Sequence, residues 1–262
     1  MAIIDNDTEG SAKETVDEWR RSFLGSTKYE VEPIRNISLT RNRAIAIASG
    51  DFIAFIDDDE YAEPSWLQEL FETYNKVACD GVLGPVKPSY DPPAPRWLIA
   101  SGLCDRESFP SGTIIRLSKY LRTGNVLLDR RILSKGEGPF DPRFGRTGGE
   151  DVDFFSRMLL EGRVFIWCNE ARVYEAVPKE RQTLKYFVKR SLARGASSSY
   201  AAPLLSRDSL KSAAAIGVYG LGLPVLMIMA PHLFCRYMIK AVYHVSRLLA
   251  RCGVYIIRER DS

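Results

Sequence analysis

Three carboxylates stand in a row at Asp57, Asp58 and Asp59, directly after the apolar run Phe52 to Ile56. Like charges packed into one small turn repel unless a cation or several donors compensate them. Such a turn suits a divalent cation held by a few carboxylate oxygens while phosphate oxygens complete its shell. The same residues also suit a solvated acidic turn, with Asp59 or Glu60 capping a helix that begins near Pro64. A second acidic pair, Glu150 and Asp151, precedes the helical stretch Val152 to Leu160. These carboxylates can take a proton from an attacking hydroxyl or cap the helix that follows, and one residue can do both. Asp5 closes the short apolar run Ala2 to Ile4. Arg41 and Arg43 carry charge suited to phosphate oxygens, although arginines on a helix are as often solvated surface groups. Asn42 stands between them with the same two readings.

These residues need elements to carry them. Ala2 to Ile4 reads as a buried strand, residues 11–24 as a helix, and Lys28 to Ile34 as another short strand. Leu39 to Ala48 has a helical pattern stopped by Gly50, and Phe52 to Ile56 is an apolar run of strand length. Pro64 opens a helix running from Trp66 to Val77, and Val82 and Leu83 begin the next strand. The alternation predicts an α/β sandwich with a largely parallel sheet. Ligands bind at the C-terminal ends of strands in such sheets, which is where Asp5 and the Asp57 turn fall.

Residues 88–112, rich in Pro, Ser and Gly, read as a long surface loop. Tyr90 and Trp97 within it suit either stacking on a ligand face or anchoring the loop. Residues 181–195 place Leu184, Phe187, Val188 and Leu192 on one helical face ringed by basic residues, the pattern of an interfacial helix. From Ser212 to Cys235 no charge occurs, a length that as a helix crosses roughly 30 Å of hydrocarbon. Pro224, Pro231 and several glycines interrupt it, which leaves spanning and dipping both open. His232 and His244 belong to this apolar region as structural or interfacial groups. Arg236 to Arg260 returns to a mixed apolar and basic pattern that suits a membrane surface.

The chain has 262 residues, 45% of them hydrophobic and 26% charged, enough for one sizeable core and unlike a disordered protein. A formal charge of +3 gives no footprint for nucleic acid. Cys79, Cys104, Cys168, Cys235 and Cys252 are scattered and form no CxxC pair, against a disulfide framework or zinc knuckle and for a reducing compartment. The N-terminus lacks a basic start and a long apolar run, so no cleavable signal is visible and the catalytic part is expected in the cytosol.

The string Leu39 to Asp59, with Arg41-Asn42 on its helix, Ala48-Ser49-Gly50-Asp51 before its strand and Glu63-Pro64-Ser65-Trp66-Leu67 after it, resembles family 2 glycosyltransferases. Further patches resemble that family in its order: Ile4 to Thr8, Thr123 to Leu127, and Phe140 to Gly145 leading into Gly148-Gly149-Glu150-Asp151. The resemblance covers residues 1–180. It implies the GT-A fold of nucleotide-diphospho-sugar transferases, a Rossmann-like three-layer sandwich with a mostly parallel sheet. It implies an inverting enzyme that moves one sugar from a nucleotide-diphosphate sugar to a lipid-linked or envelope glycan acceptor.

By the same resemblance Asp5, Arg41, Asn42, Asp57 and Asp58 bind the donor, Asp5 toward the nucleobase and Asp57 toward the ribose. Asp59 ligates Mg²⁺ or Mn²⁺ on the diphosphate, Asp151 with Glu150 supplies the base, and Gly124 and Asn125 line the acceptor side. No Gln-x-x-Arg-Trp motif follows the acidic pair, which points to single addition rather than processive synthesis. The strand and helix with which family members open have no counterpart before Ala2, so the catalytic domain is expected to be N-terminally truncated. An inactive remnant or a membrane-associated binding protein is the alternative. The expected organisation is a catalytic domain over 1–180, an amphipathic helix and linker over 181–210, and a membrane-associated helical tail over 211–262. That places the protein on the cytoplasmic face of the cell membrane, the bacterial inner membrane, with no nucleic-acid partner.

Overall fold

The computed structural model describes residues 1–133, 138–146, 148–197 and 206–256. In chain order its elements are β1 (Ala2–Asp5), α1 (Lys13–Arg20), β2 (Lys28–Val31), α2 (Ile37–Ile47), β3 (Phe52–Ile56), β4 (Glu60–Ala62), α3 (Trp66–Lys76), β5 (Gly81–Leu83) and β6 (Val86–Tyr90). There follow α4 (Arg96–Ser101), β7 (Asn125–Asp129), α5 (Glu150–Leu160), β8 (Phe165–Trp167), β9 (Val173–Val177), α6 (Leu184–Ser197), α7 (Arg207–Met229) and α8 (Pro231–Arg251). The chain divides into two compact units, residues 1–87 with 106–175 and residues 88–105 with 176–262. The chain leaves the first unit after residue 87, re-enters it at 106 and leaves it again after 175.

In the first unit a four-stranded sheet runs in the order β3-β7-β5-β8. β7 is antiparallel to both β3 and β5, and β5 is parallel to β8, so three of its strands share one direction. All five residues of β7 are buried, as a strand covered on both faces must be. Val126 and Leu128 point to one layer with Phe154, Phe155 and Met158 of α5, while Leu127 points to the other with Leu70 of α3. This alternation produces the helix, sheet, helix layering of the α/β class. β1 and β2 form a separate parallel pair, and among the described residues β3 pairs on one side only.

The stretch 88–112 corrects the reading of a long loop. It contains the end of β6 and the whole of α4, and Leu98 is fully buried in a cluster with Phe187 and Ile239. Its prolines stand where proline is tolerated, Pro88 in a strand at the edge of the sheet β4-β9-β6 and Pro95 just before the first turn of α4. Tyr90 and Trp97 pack into the same cluster, Trp97 edge-on to Phe187 with ring centroids 6.3 Å apart.

The C-terminal helices belong to the second unit. The apolar face of α6 is largely occupied by α8: Phe187 is buried, and the Ser191 hydroxyl donates to the Ile239 carbonyl at 2.8 Å. Leu184 remains exposed. The charge-free stretch is not one helix, because α7 ends at Met229 and α8 begins at Pro231. The linker expected after α6 (198–205) and the last residues (257–262) lie outside the described residues.

Candidate functional site

β3 ends by delivering Asp57 beside the start of β7, where Ile56 pairs with Asn125. The chain then turns through Asp58 and Asp59, both exposed, into β4. Glu60 opens β4 opposite Glu175 of β9, and one of its oxygens accepts the Asp57 N–H at 3.1 Å. Gly124 lies against both carboxylates. A Cβ there would meet Glu60 Oε1 at 2.8 Å and Asp57 Oδ2 at 3.1 Å, so only glycine lets the strand pass this close. The Glu60 side chain is fully buried, with Arg106 Nη1 3.8 Å from its Oε1. Burial, reinforced by the charge of Asp57, pushes its carboxyl up to about 8. Arg106 also pairs with Glu175. Burial likewise raises the Asp57 carboxyl, with Asp59 and Asp58 adding to the rise and Arg41 and Arg106 opposing it.

Across the site, α2 is stitched to the segment leading to the acidic pair. Asn36 caps α2 by accepting the Ser38 and Leu39 N–H groups, and its amide donates to the Pro142 carbonyl at 2.8 Å. Ser38 donates to the Asp141 carbonyl at 2.9 Å. Asn42 grips the backbone of Phe140 from both sides, accepting its N–H at 3.0 Å and donating to its carbonyl at 2.8 Å. This fastening lets one guanidinium join the two acidic centres. Arg41 Nη1 pairs with Glu150, and Arg41 Nη2 lies 3.6 Å from Asp57 Oδ1. Asp151 follows in the first turn of α5, with Arg122 Nη1 3.9 Å from its Oδ2. Burial and then the neighbouring Glu150 raise the Asp151 carboxyl, against the pull of the Val152 N–H, Arg122 and Arg41. A carboxylate raised in this way is a better proton acceptor than a solvated one.

The structure therefore brings Arg41, Asp57, Gly124 and Glu150 together, with Asp58, Asp59 and Asp151 next to them in the chain. Asn42 and Asn125 are buried braces. The Asn125 amide donates to the carbonyls of Pro85 (3.0 Å) and Ala171 (2.8 Å), and its oxygen accepts the Trp66 indole N–H at 2.8 Å. Asp5 holds its own turn: its carboxylate accepts the N–H groups of Asp7 (3.0 Å) and Ala12 (2.8 Å) and the Tyr29 hydroxyl at 2.8 Å.

Sequence reasoning missed Glu60, Arg106, Arg122 and Glu175. Glu60 had a signal in its place directly after the acidic triplet, whereas the two arginines come from segments with no periodicity to orient them. Among the described residues no three His, Cys, Asp or Glu side chains gather as a closed metal cage. An exposed turn of hard carboxylate oxygens fits a cation of the Mg²⁺ kind, which is held by one or two carboxylates with phosphates and water completing the shell.

The sequence model of glycosyl transferase family 2 matches residues 1–134. Succinoglycan biosynthesis protein ExoM of Rhizobium meliloti (strain 1021) is 38% identical over 198 residues, covering 74% of this chain and 62% of that protein. Glucosyl-dolichyl phosphate glucuronosyltransferase of Haloferax volcanii is 28% identical over 175 residues, covering 62% of this chain and 54% of that protein. The chain thus spans 62% and 54% of the length of these curated relatives. Among solved structures, S. aureus TarS in complex with UDP superposes with a TM-score of 0.52 at 15% identity, covering 99% of this chain and 84% of that one. GalNAc-T7 with UDP, GalNAc and Mn²⁺ gives 0.51 at 15% identity over 77% of this chain and 45% of that one. These likenesses are of fold, and the fold is the expected GT-A arrangement.

Proposed function

The chain belongs to glycosyl transferase family 2, and from that premise we propose that it moves one sugar from a nucleotide-diphosphate sugar to a hydroxyl acceptor, with inversion at the transferred carbon. The observation that carries this reading is Arg41, whose guanidinium joins the Asp57 turn to the Glu150-Asp151 pair. An acid cluster at a strand end and a proton-accepting pair at a helix start become one site. Asp151 takes the acceptor hydroxyl proton as that oxygen attacks the anomeric carbon from the face opposite the departing diphosphate. Glu150, held by Arg41, keeps the start of α5 fixed against α2. Asp57 and Asp58 face the donor, and Asp5 acts on the nucleobase side through the turn it holds. Gly124 lets the backbone on the acceptor side pass close against the carboxylates, and Asn125 and Asn42 keep the walls in place.

Asp59, with Asp57 beside it, would hold Mg²⁺ or Mn²⁺, which when bound offsets the negative charge developing on the leaving diphosphate. The names of the relatives support an acceptor of the envelope-glycan or lipid-linked class, and UDP in two fold neighbours makes UDP-sugars the first donors to try. Such an acceptor fits action at a membrane surface, on its cytoplasmic face.

The test is a panel of UDP- and GDP-sugars, assayed for binding by the full chain with Mn²⁺ or Mg²⁺ present. Binding of at least one donor that weakens about tenfold or more in Asp59→Ala is expected, since the variant loses a charged ligand of the diphosphate site. No donor binding in either metal would sink the assignment.

A further inference from the structure

α7 and α8 form a helical hairpin whose register is visible in its contacts. Ser212 Oγ lies 3.1 Å from His244 Nδ1, Arg247 pairs with Asp208 at 3.0 Å, and the ring of Tyr219 lies between those of Tyr237 (5.7 Å) and His244 (6.0 Å). The helices are therefore antiparallel, with Ala230 at the tip. By length and composition α7 is the one described helix able to cross a membrane. Its partner decides otherwise, because α8 carries Arg236 and Lys240, both exposed, alongside the middle of α7. A crossing by α7 would carry these charges into hydrocarbon, at a cost of about 2.5–3.5 kcal/mol each on insertion scales.

Beyond Arg236 the hairpin is uncharged and open. Leu221 and Ile228 are 84% and 81% exposed, Met229 is 80% exposed, and Val225 and Met227 are more than half exposed. Apolar surface left bare on this scale marks an interaction site. Behind it the charge has one sign. From Ser209 to Arg258 the sequence has no acidic residue, and Arg236 and Lys240 of α8 stand behind the tip. From Arg236 to the tip at Pro231 is five residues of helix, about 8 Å. That matches the roughly 5–10 Å to which interfacial helices enter the headgroup and acyl boundary.

We propose that the α7–α8 hairpin docks tip-first into one leaflet of an anionic bilayer, with Arg236 and Lys240 on the lipid headgroups and both helix ends on the same side. This deepens the membrane-surface part of the proposed function by fixing the mode of attachment, and it stands apart from the donor site. The occupant is lipid because the tip is uncharged all round and the first charges behind it on α8, Arg236 and Lys240, are both basic, which complements an anionic surface.

The test is flotation of the full chain with vesicles of phosphatidylcholine alone and of phosphatidylcholine with phosphatidylglycerol. Binding is expected to be stronger on the anionic vesicles. Ile228→Asp, at an exposed position that leaves the packing intact, should weaken it about tenfold or more by losing apolar insertion. The double variant Arg236→Glu/Lys240→Glu should lose the preference for anionic lipid. A C-terminal tag should stay open to protease added outside the vesicles. A protected tag, unchanged binding in Ile228→Asp, or a stable dimer that Ile228→Asp dissociates while vesicles go unbound would each overturn the proposal. UDP-sugar binding measured on the same variants in detergent should be unchanged, so a failure here is distinguishable from a failure of the transferase reading.

Discussion

Arg41 is the residue whose removal should be felt at once in stability and in chemistry. Its partner Glu150 has a side chain only 9% exposed, and one of its oxygens has no other hydrogen bond. Arg41→Ala should therefore cost about 3–5 kcal/mol in chemical denaturation, the usual loss when one partner of a buried pair is deleted. Arg41→Ala/Glu150→Gln should recover much of that loss, since the stranded charge goes with it. At Asp151 the effect should fall on rate: Asp151→Asn is expected to lower kcat by about 10²–10⁴ and leave donor binding nearly intact. The pH profile follows from the raised Asp151 carboxyl. The base works deprotonated, so kcat/KM falls as pH drops through that raised value. Glu150 lifts the value while Arg122 and Arg41 hold it down, so Arg122→Ala should move the acid limb to higher pH.

The acidic residues were legible in the sequence because each stands at the end of an apolar run or the start of a helix. Arg106 and Arg122 were not, and Glu60 showed only as the next acid after the triplet. Their importance arises from positions fixed by pairing and packing, which no local spacing records. Asn42 and Asn125 were legible as important, but the backbone groups they brace were not, since those lie far away along the chain.

Strand β7 starts beside the Asp57 turn and carries anchorage at its other end. At its far end Asp129 accepts hydrogen bonds from Arg131 and, at 2.6 Å, from Tyr74. Arg131 first, with Tyr74, holds the Asp129 carboxyl far below the ordinary range. A carboxyl depressed in the folded state adds stability that is complete above its unfolded value near about 4 and fades as pH falls below it. Asp129→Asn should thus lower the urea midpoint at neutral pH and flatten its fall on the acid side; an unchanged acid slope would count against this brace.

The elements most legible from sequence were β3 as an apolar run, α2 and α3 by their helical pattern and α5 by the stretch after its acidic pair. The region 88–112 was not, because proline content suggests loop unless one knows which positions are edge and which open a helix. Leu98→Ala should show how much structure was hidden there, at about 2–5 kcal/mol for a fully buried leucine.

At the scale of the molecule, the chain passes out of the first unit at residue 87, returns at 106 and leaves again after 175. A chain lacking residues 205–262 should no longer float with membranes while its donor-binding residues remain. Persistence on membranes would place the attachment elsewhere. Sequence showed that this region was apolar and flanked by basic residues. It did not show the fold-back, because the register of a hairpin rests on pairings such as Ser212 with His244 that neither helix reveals alone.

The clamp between α2 and residues 140–145 bears on how the protein is made. Asn36, Ser38 and Asn42 find partners 106, 103 and 98 residues further along the chain. Closing loops of that span adds little to the equilibrium cost but delays their formation. On the ribosome, the Asp57 turn emerges long before the residues that hold Glu150 and Asp151 to it. Under the proposed mechanism a growing chain stays without its base until Glu150 and Asp151 have emerged to meet Arg41.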